Sequence, residues 1–205
     1  WIEEQEPKPD FWKNFGTTLA RLHVAFQDHF GFETNNHIGT TPQTNPLRSD
    51  KEISWAEYFI EYRLKTMLAH HNLSVESLLQ IEFQKALPRI HEVLSAVKEP
   101  PSLVHGDLWG GNFLSDQQGR PVLFDPAPYR GHREVDLAMT ELFGGFAPEF
   151  YTAYKKEFPL QPGYEARRSI YNLYHLFNHW IIFGASSYRD KTLNLLKSTR
   201  AGAGG

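Results

Sequence analysis

Two polar sites joined by a short apolar hairpin constrain this chain more than any other feature. The first is His105-Gly106-Asp107-Leu108-Trp109-Gly110-Gly111-Asn112, and the second is Phe124-Asp125-Pro126. Between them, Phe113-Leu114-Ser115 and Pro121-Val122-Leu123-Phe124 flank the turn-forming run Asp116-Gln117-Gln118-Gly119, the pattern of two strands closed by a turn. A hairpin brings Asn112 back beside Asp125, so that an amide and two carboxylates converge. Taken singly, an Asp and an Asn in a Gly-rich segment are ordinary turn residues, because both side chains bond the local backbone. The offset, the hairpin and the second Asp together point to chemistry.

That chemistry is magnesium-dependent phosphoryl transfer. There an Asp accepts the proton of the attacking hydroxyl, an Asn later in the same loop holds one metal ion, and a carboxylate from another segment holds the other. Asp107, Asn112 and Asp125 match these roles in type and spacing. His105 reads as a support of the loop backbone, since Asp107 already takes the proton. Trp109 has two readings, stacking on a sugar ring or packing the loop, and its place between Asp107 and Asn112 favours the first.

The run Leu103 to Asn112, the element Phe124-Asp125-Pro126-Ala127, the segment Gly131 to Met139 and the loop Ile38-Gly39-Thr40-Thr41-Pro42-Gln43 together resemble the fructosamine kinase (ketosamine-3-kinase) family. The H-G-D-x4-N pattern is shared with aminoglycoside phosphotransferases and choline kinases; the Trp, the Asp-Pro-Ala and the Gly-Thr-Thr-Pro-Gln loop narrow it. The resemblance implies an α+β, mostly α fold, the C-terminal lobe of a protein-kinase-like enzyme with a small catalytic hairpin. It implies ATP and Mg2+ as cofactors, a free or protein-bound ketosamine as acceptor, phosphorylation at the 3-hydroxyl, and deglycation in the cytoplasm. It also implies that Asp136 anchors the catalytic loop; a carboxylate in the first turn of a helix is the plainer reading, and both stay open. Gly110 and His37 depart from the family's frequent Ser and Tyr. No G-x-G-x-x-G precedes the catalytic loop, and no strand Lys paired with a helix Glu is evident. The expectation is therefore that the N-lobe is absent, that Trp1-Ile2-Glu3 follow the adenine hinge, and that this piece alone is inactive.

Composition suits one domain over residues 1–200. With 205 residues, 40% apolar and 22% charged, the chain can bury a core without staples, and zero Cys excludes disulfides and thiolate sites. A net charge of -3 offers no general field for nucleic acid or anionic membrane, and no apolar run is long enough to span a bilayer.

Periodicity predicts mainly helices. Asp10 is placed to cap a helix with a stripe of Phe11, Phe15, Leu19, Leu22 and Phe26 that ends near Phe30-Gly31. Residues 31–50 are too polar for a core. Ser54 and Glu57 form a capping box; Ser74 is placed to cap the next helix, which Pro88 should kink or restart. Glu134 to Phe143, Pro148 to Phe158 and Tyr164 to Tyr188 read as helices, Arg130, His132 and Arg133 as a solvated loop face, and residues 201–205 as a flexible tail. His175 and His179 share a helix face and line either the core or the acceptor cleft.

Three rivals to the ketosamine reading remain. They are an aminoglycoside or choline-type phosphotransferase, a catalytically silent module of the same shape, and, more remotely, a metal hydrolase.

Overall fold

Apolar residues recurring at three and four make this a helical molecule, and the computed structural model describes residues 3–202 of it. The chain begins with α1 (Phe11–Val24), then pairs β1 (His29–Phe30) with β4 (Arg48–Ser49) and β2 (Asn36–Ile38) with β3 (Thr41–Gln43), all antiparallel. Next come α2 (Trp55–Phe59), a π-helical stretch Ile60–Lys65, α3 (Thr66–Leu68), α4 (His71–Ser74) and α5 (Ser77–Ser95). Strand β5 (Ser102–Val104) pairs with β8 (Tyr129–Gly131), and between them β6 (Phe113–Ser115) and β7 (Pro121–Leu123) form the expected hairpin. Helices α6 (Glu134–Leu142), α7 (Pro148–Glu157), α8 (Tyr164–Phe183) and α9 (Ser186–Ala201) complete it.

Two apolar clusters hold these elements. One gathers Trp55, Phe59, Phe83, Ile90, Tyr171 and Phe177 around α8. The other gathers Phe11, Phe15, Leu137 and Phe150 where α1 packs on α7, and it also takes Leu108. Leu108 is fully buried, worth about 2 kcal/mol of transfer free energy, and so the loop between Asp107 and Trp109 is pinned to the core.

Several expectations are corrected. α1 stops at Val24, Leu22 and Phe26 stay 37% and 44% exposed, and the stripe closes instead on buried His23, four residues after Leu19. Asp10 makes no side-chain cap bond. Ser54 and Glu57 do form both bonds of the capping box. Ser74 ends α4 rather than capping α5, whose N-cap is Glu76. Pro88 lies inside an unbroken α5; no restart occurs. The helix expected from Tyr164 to Tyr188 is two helices, broken at Gly184 in the left-handed region (φ 63°), a conformation that costs glycine nothing. Ala201 belongs to α9; the expectation for residues 203–205, and that for Trp1 and Ile2, lies outside the described residues.

Residues 31–50 are not a merely polar loop. Arg63, buried beneath β3, donates to the Thr44 carbonyl and Asn45 Oδ1 (2.8 and 2.7 Å) and lies 3.9 Å over the Tyr129 ring. Arg130 pairs with Glu33, and His132 and Arg133 are buried rather than solvated. Their partners lie far along the chain: Glu99 and Tyr171 for His132, and Glu99 and Tyr154 for Arg133.

Candidate active site

The segment from His105 to Asn112 is shaped by one backbone constraint. Gly106 has φ 82°, and a Cβ there would come within 2.0 Å of the Ala127 carbonyl, so any side chain would expel the second polar segment. The buried Asp136 carboxylate holds the turn, accepting from the His105 and Gly106 amides at 2.8 and 2.9 Å. Burial alone would raise the pKa of Asp136, but its hydrogen bond from His23 and those backbone donors outweigh it and hold the pKa low. His105 accepts from the Asp107 amide at Nδ1, which leaves the proton on Nε2 to donate to the Phe124 carbonyl at 3.0 Å. One imidazole thus spans both polar segments.

The hairpin brings those segments together. The Phe124 amide donates to the Asn112 carbonyl at 3.2 Å, and the Ala127 amide to the His105 carbonyl at 2.9 Å. Asn112 is buried and its amide nitrogen donates to the Asp107 carbonyl and to Asp107 Oδ2 (2.8 and 3.2 Å). That commitment leaves Oδ1, the only Asn112 side-chain atom able to ligate a cation. Asp125 is exposed and, among the described residues, is the one non-glycine residue with positive φ, at 48°. Among the described residues no three His, Asp or Glu side chains cluster tightly enough to hold a metal. The Asn112 and Asp125 oxygens nonetheless fit a hard divalent ion that takes its remaining ligands from phosphate and water.

Asp107 stands apart electrostatically. Its Oδ1 is buried with no hydrogen-bond partner, and burial, against the Asn112 bond, pushes its pKa up to about 6. His175 faces this carboxylate, with Nδ1 3.8 Å from Asp107 Oδ1. Burial brings the pKa of His175 down to about 3, with His179 adding to the shift, so the imidazole is neutral and the contact is neither an ion pair nor a hydrogen bond. Two buried polar atoms therefore face each other across a gap, neither one satisfied.

His179, one turn further along α8, has its pKa lowered by burial and bonds the His175 carbonyl through Nδ1 at 2.9 Å. Trp109 is 40% exposed, its ring folded across Gly111, where a Cβ would lie 2.4 Å from the ring atoms. All eight residues singled out in the sequence are thus placed. Asp107, Asn112, His105 and Asp136 are joined by hydrogen bonds, Asp125 adjoins them through Phe124, and His175 faces Asp107 without a bond.

Sequence reasoning missed the outer supports. His23 bonds Asp136 Oδ2 (3.2 Å) and Tyr154 (2.7 Å) from inside α1, and extending the Phe11, Phe15, Leu19 spacing by one step would have found it. Gln43 donates to the Ala127 carbonyl (3.1 Å) and accepts from Tyr174, while Asn36 donates to the Pro128 carbonyl (2.8 Å). These bonds tie the Gly-Thr-Thr-Pro-Gln loop to the backbone just after Asp125. No local pattern announces them.

The Fructosamine kinase family model matches residues 1–201. A probable ketoamine kinase from Synechocystis is 42% identical over 198 residues, covering 96% of this chain and 65% of that protein. The mouse ketosamine-3-kinase is 37% identical, covering 89% of this chain and 57% of its own. A solved fructosamine-3-kinase candidate from Haemophilus somnus superposes with a TM-score of 0.85 at 28% identity, over 97% of this chain and 66% of that one. An aminoglycoside phosphotransferase solved with ADP superposes at 0.57 and 14% identity, over 99% and 71%, a likeness of fold alone. The chain spans less than two thirds of the length of the Synechocystis and mouse relatives. A family model that covers nearly every residue, with relatives at this identity, leaves one conclusion: the chain belongs to the fructosamine kinase family.

Proposed function

We propose that this chain carries the catalytic loop of an ATP-dependent kinase that phosphorylates the 3-hydroxyl of ketosamines. The observation that carries the reading is Asp107, a carboxylate with an unpartnered buried oxygen and a pKa raised to about 6, held beside the Asn112 and Asp125 oxygens. Such a carboxylate is ionised at neutral pH yet basic enough to take a proton. The acceptor hydroxyl approaches the Asp107 carboxylate, Asp107 takes its proton as the oxygen attacks the γ-phosphorus, and ADP leaves. Asn112 Oδ1 and Asp125 would hold Mg2+, which when bound neutralises the phosphate oxygens. His105 and Asp136 keep the loop in place, and Trp109, His175 and His179 bind the acceptor substrate. The family membership and the names of the relatives support the ketosamine as acceptor. Residues 1–200 serve as one lobe that carries the catalytic loop and the oxygen donors around it. Phosphorylation labilises the adduct, so the role is deglycation, in the cytoplasm.

The test is ADP release by the full-length protein with a ribulosyl-lysine, a fructosyl-lysine and an aminoglycoside. Turnover confined to the ketosamines, falling about 10²- to 10⁴-fold in Asp107→Asn, is expected. Wild-type turnover in that variant would remove Asp107 from the chemistry, and turnover of the aminoglycoside alone would move the acceptor class.

A further inference from the structure

The C-terminal end of α8 carries an aromatic cluster of which the arrangement above uses only His179. Phe143, just past α6, His179 and Phe183 on α8, and Tyr188 on α9 bring four rings together. Centroids lie 4.6 Å apart for Phe143 and His179, 5.3 Å for His179 and Tyr188, 5.6 Å for His179 and Phe183, and 6.0 Å for Phe183 and Tyr188. Clusters of this kind ordinarily close into a core, but Phe183 is 62% exposed. A lone exposed Phe needs no explanation. One that stacks on Tyr188 and caps a packed row of rings from three segments of the chain presents an aromatic face to a ligand.

The cluster is continuous with the site around Asp107. His175, His179 and Phe183 are spaced by four and form a row along one face of α8. The first member faces Asp107 Oδ1 at 3.8 Å. At 1.5 Å of rise per residue, the row reaches Phe183 after about 12 Å. In a ketosamine only a few bonds separate the reacting hydroxyl from the amine nitrogen. With the hydroxyl at Asp107, the sugar lies at the buried end of this row, and whatever bears the amine runs out over His179 to Phe183. Ring faces attract an ammonium group and bury a hydrocarbon stem equally well.

We propose that Phe143, His179, Phe183 and Tyr188 form a subsite for the carrier amine of the ketosamine, so that the enzyme selects adducts borne on an extended lysine-type chain over those of short amines. This rests on the ketosamine kinase reading. A second copy of the chain seated on Phe183 is the competing occupant.

The experiment compares kcat/KM of the full-length protein for ribulosyl-lysine, blocked at its α-amine, and ribulosyl-methylamine, in wild type, Phe183→Ala and Phe183→Tyr. Phe183 lies on the surface, so neither change threatens folding. The lysine-to-methylamine ratio is expected to drop about tenfold in Phe183→Ala and to recover in Phe183→Tyr, which keeps the ring. An unchanged ratio in Phe183→Ala, with both adducts turned over, overturns the subsite and leaves the kinase reading standing. Turnover of neither adduct by the wild type overturns both. A wild-type dimer in sedimentation that Phe183→Ala dissociates, with the ratio unmoved, assigns the surface to self-association and overturns the subsite.

Discussion

Two mostly buried carboxylates, Asp107 and Glu99, meet opposite fates in neighbouring parts of the molecule. Glu99 accepts from Arg133 Nε and Nη2 at 2.7 and 2.8 Å and from His132 at 3.2 Å. Burial would raise its pKa, but those bonds outweigh it and bring it to about 2. Arg133 in turn spends its other donors on Tyr154 and the Phe158 and Pro159 carbonyls, and Arg167 grips Glu134 at 2.7 and 2.8 Å. Asp107 is mostly buried; among the described residues only Asn112 hydrogen-bonds its side chain, and its pKa rises to about 6. Burial is common to both. What separates the two is whether the fold supplies donors for the charge.

The comparison breaks most readily at Arg133. Arg133→Met leaves the Glu99 charge with only its His132 bond, and urea unfolding should register a loss of about 3 kcal/mol; a loss below about 1 kcal/mol would mean the network is decorative. Glu99→Gln sharpens the sign. A carboxylate whose folded pKa is depressed adds stability above its unfolded pKa and loses it as pH falls toward the folded one. The gap between wild type and Glu99→Gln should therefore shrink by about 3 kcal/mol between pH 4.5 and 2. Asp107 carries the reverse sign, because its folded pKa lies above the unfolded value of about 3.9. The folded state holds that proton more tightly, and stability falls as pH rises from about 4 to about 6. Asp107→Asn should then be more stable than wild type by about 1–2 kcal/mol at pH 8 and equal to it near pH 3, while losing turnover. Equal stability at pH 8 would show that Asp107 is not strained by its charge.

What was legible in the sequence has a common cause: short reach. The turn Asp116 to Gly119 closes the hairpin through a bond from the Gly119 amide to the Asp116 carbonyl, three residues away. The Ser54 and Glu57 cap is equally local. Because a hairpin is a local structure, the approach of Asn112 to Asp125 could be read before any coordinates. Helix existence was legible as well, but not its limits. Gly184 within an apolar run does not declare whether it bends, ends or simply continues a helix, and Pro88 is tolerated because α5 is held by packing along its length.

The polar interior was not legible, and the reason is distance along the chain. Arg133 looks like any loop arginine until Glu99, Tyr154 and Phe158 are folded around it; His23 looks like a surface residue of α1 until Asp136 and Tyr154 meet it. By itself the sequence determined the family, the helical class and the set of oxygen donors around Asp107, since residue types and short spacings specify those. Only the tertiary structure decided which carboxylates are neutralised, that His175 faces Asp107 as a neutral ring, and that Phe143, His179 and Tyr188 pack beside an exposed Phe183. Whether a buried charge is satisfied depends on groups that long-range packing alone brings within a few ångströms.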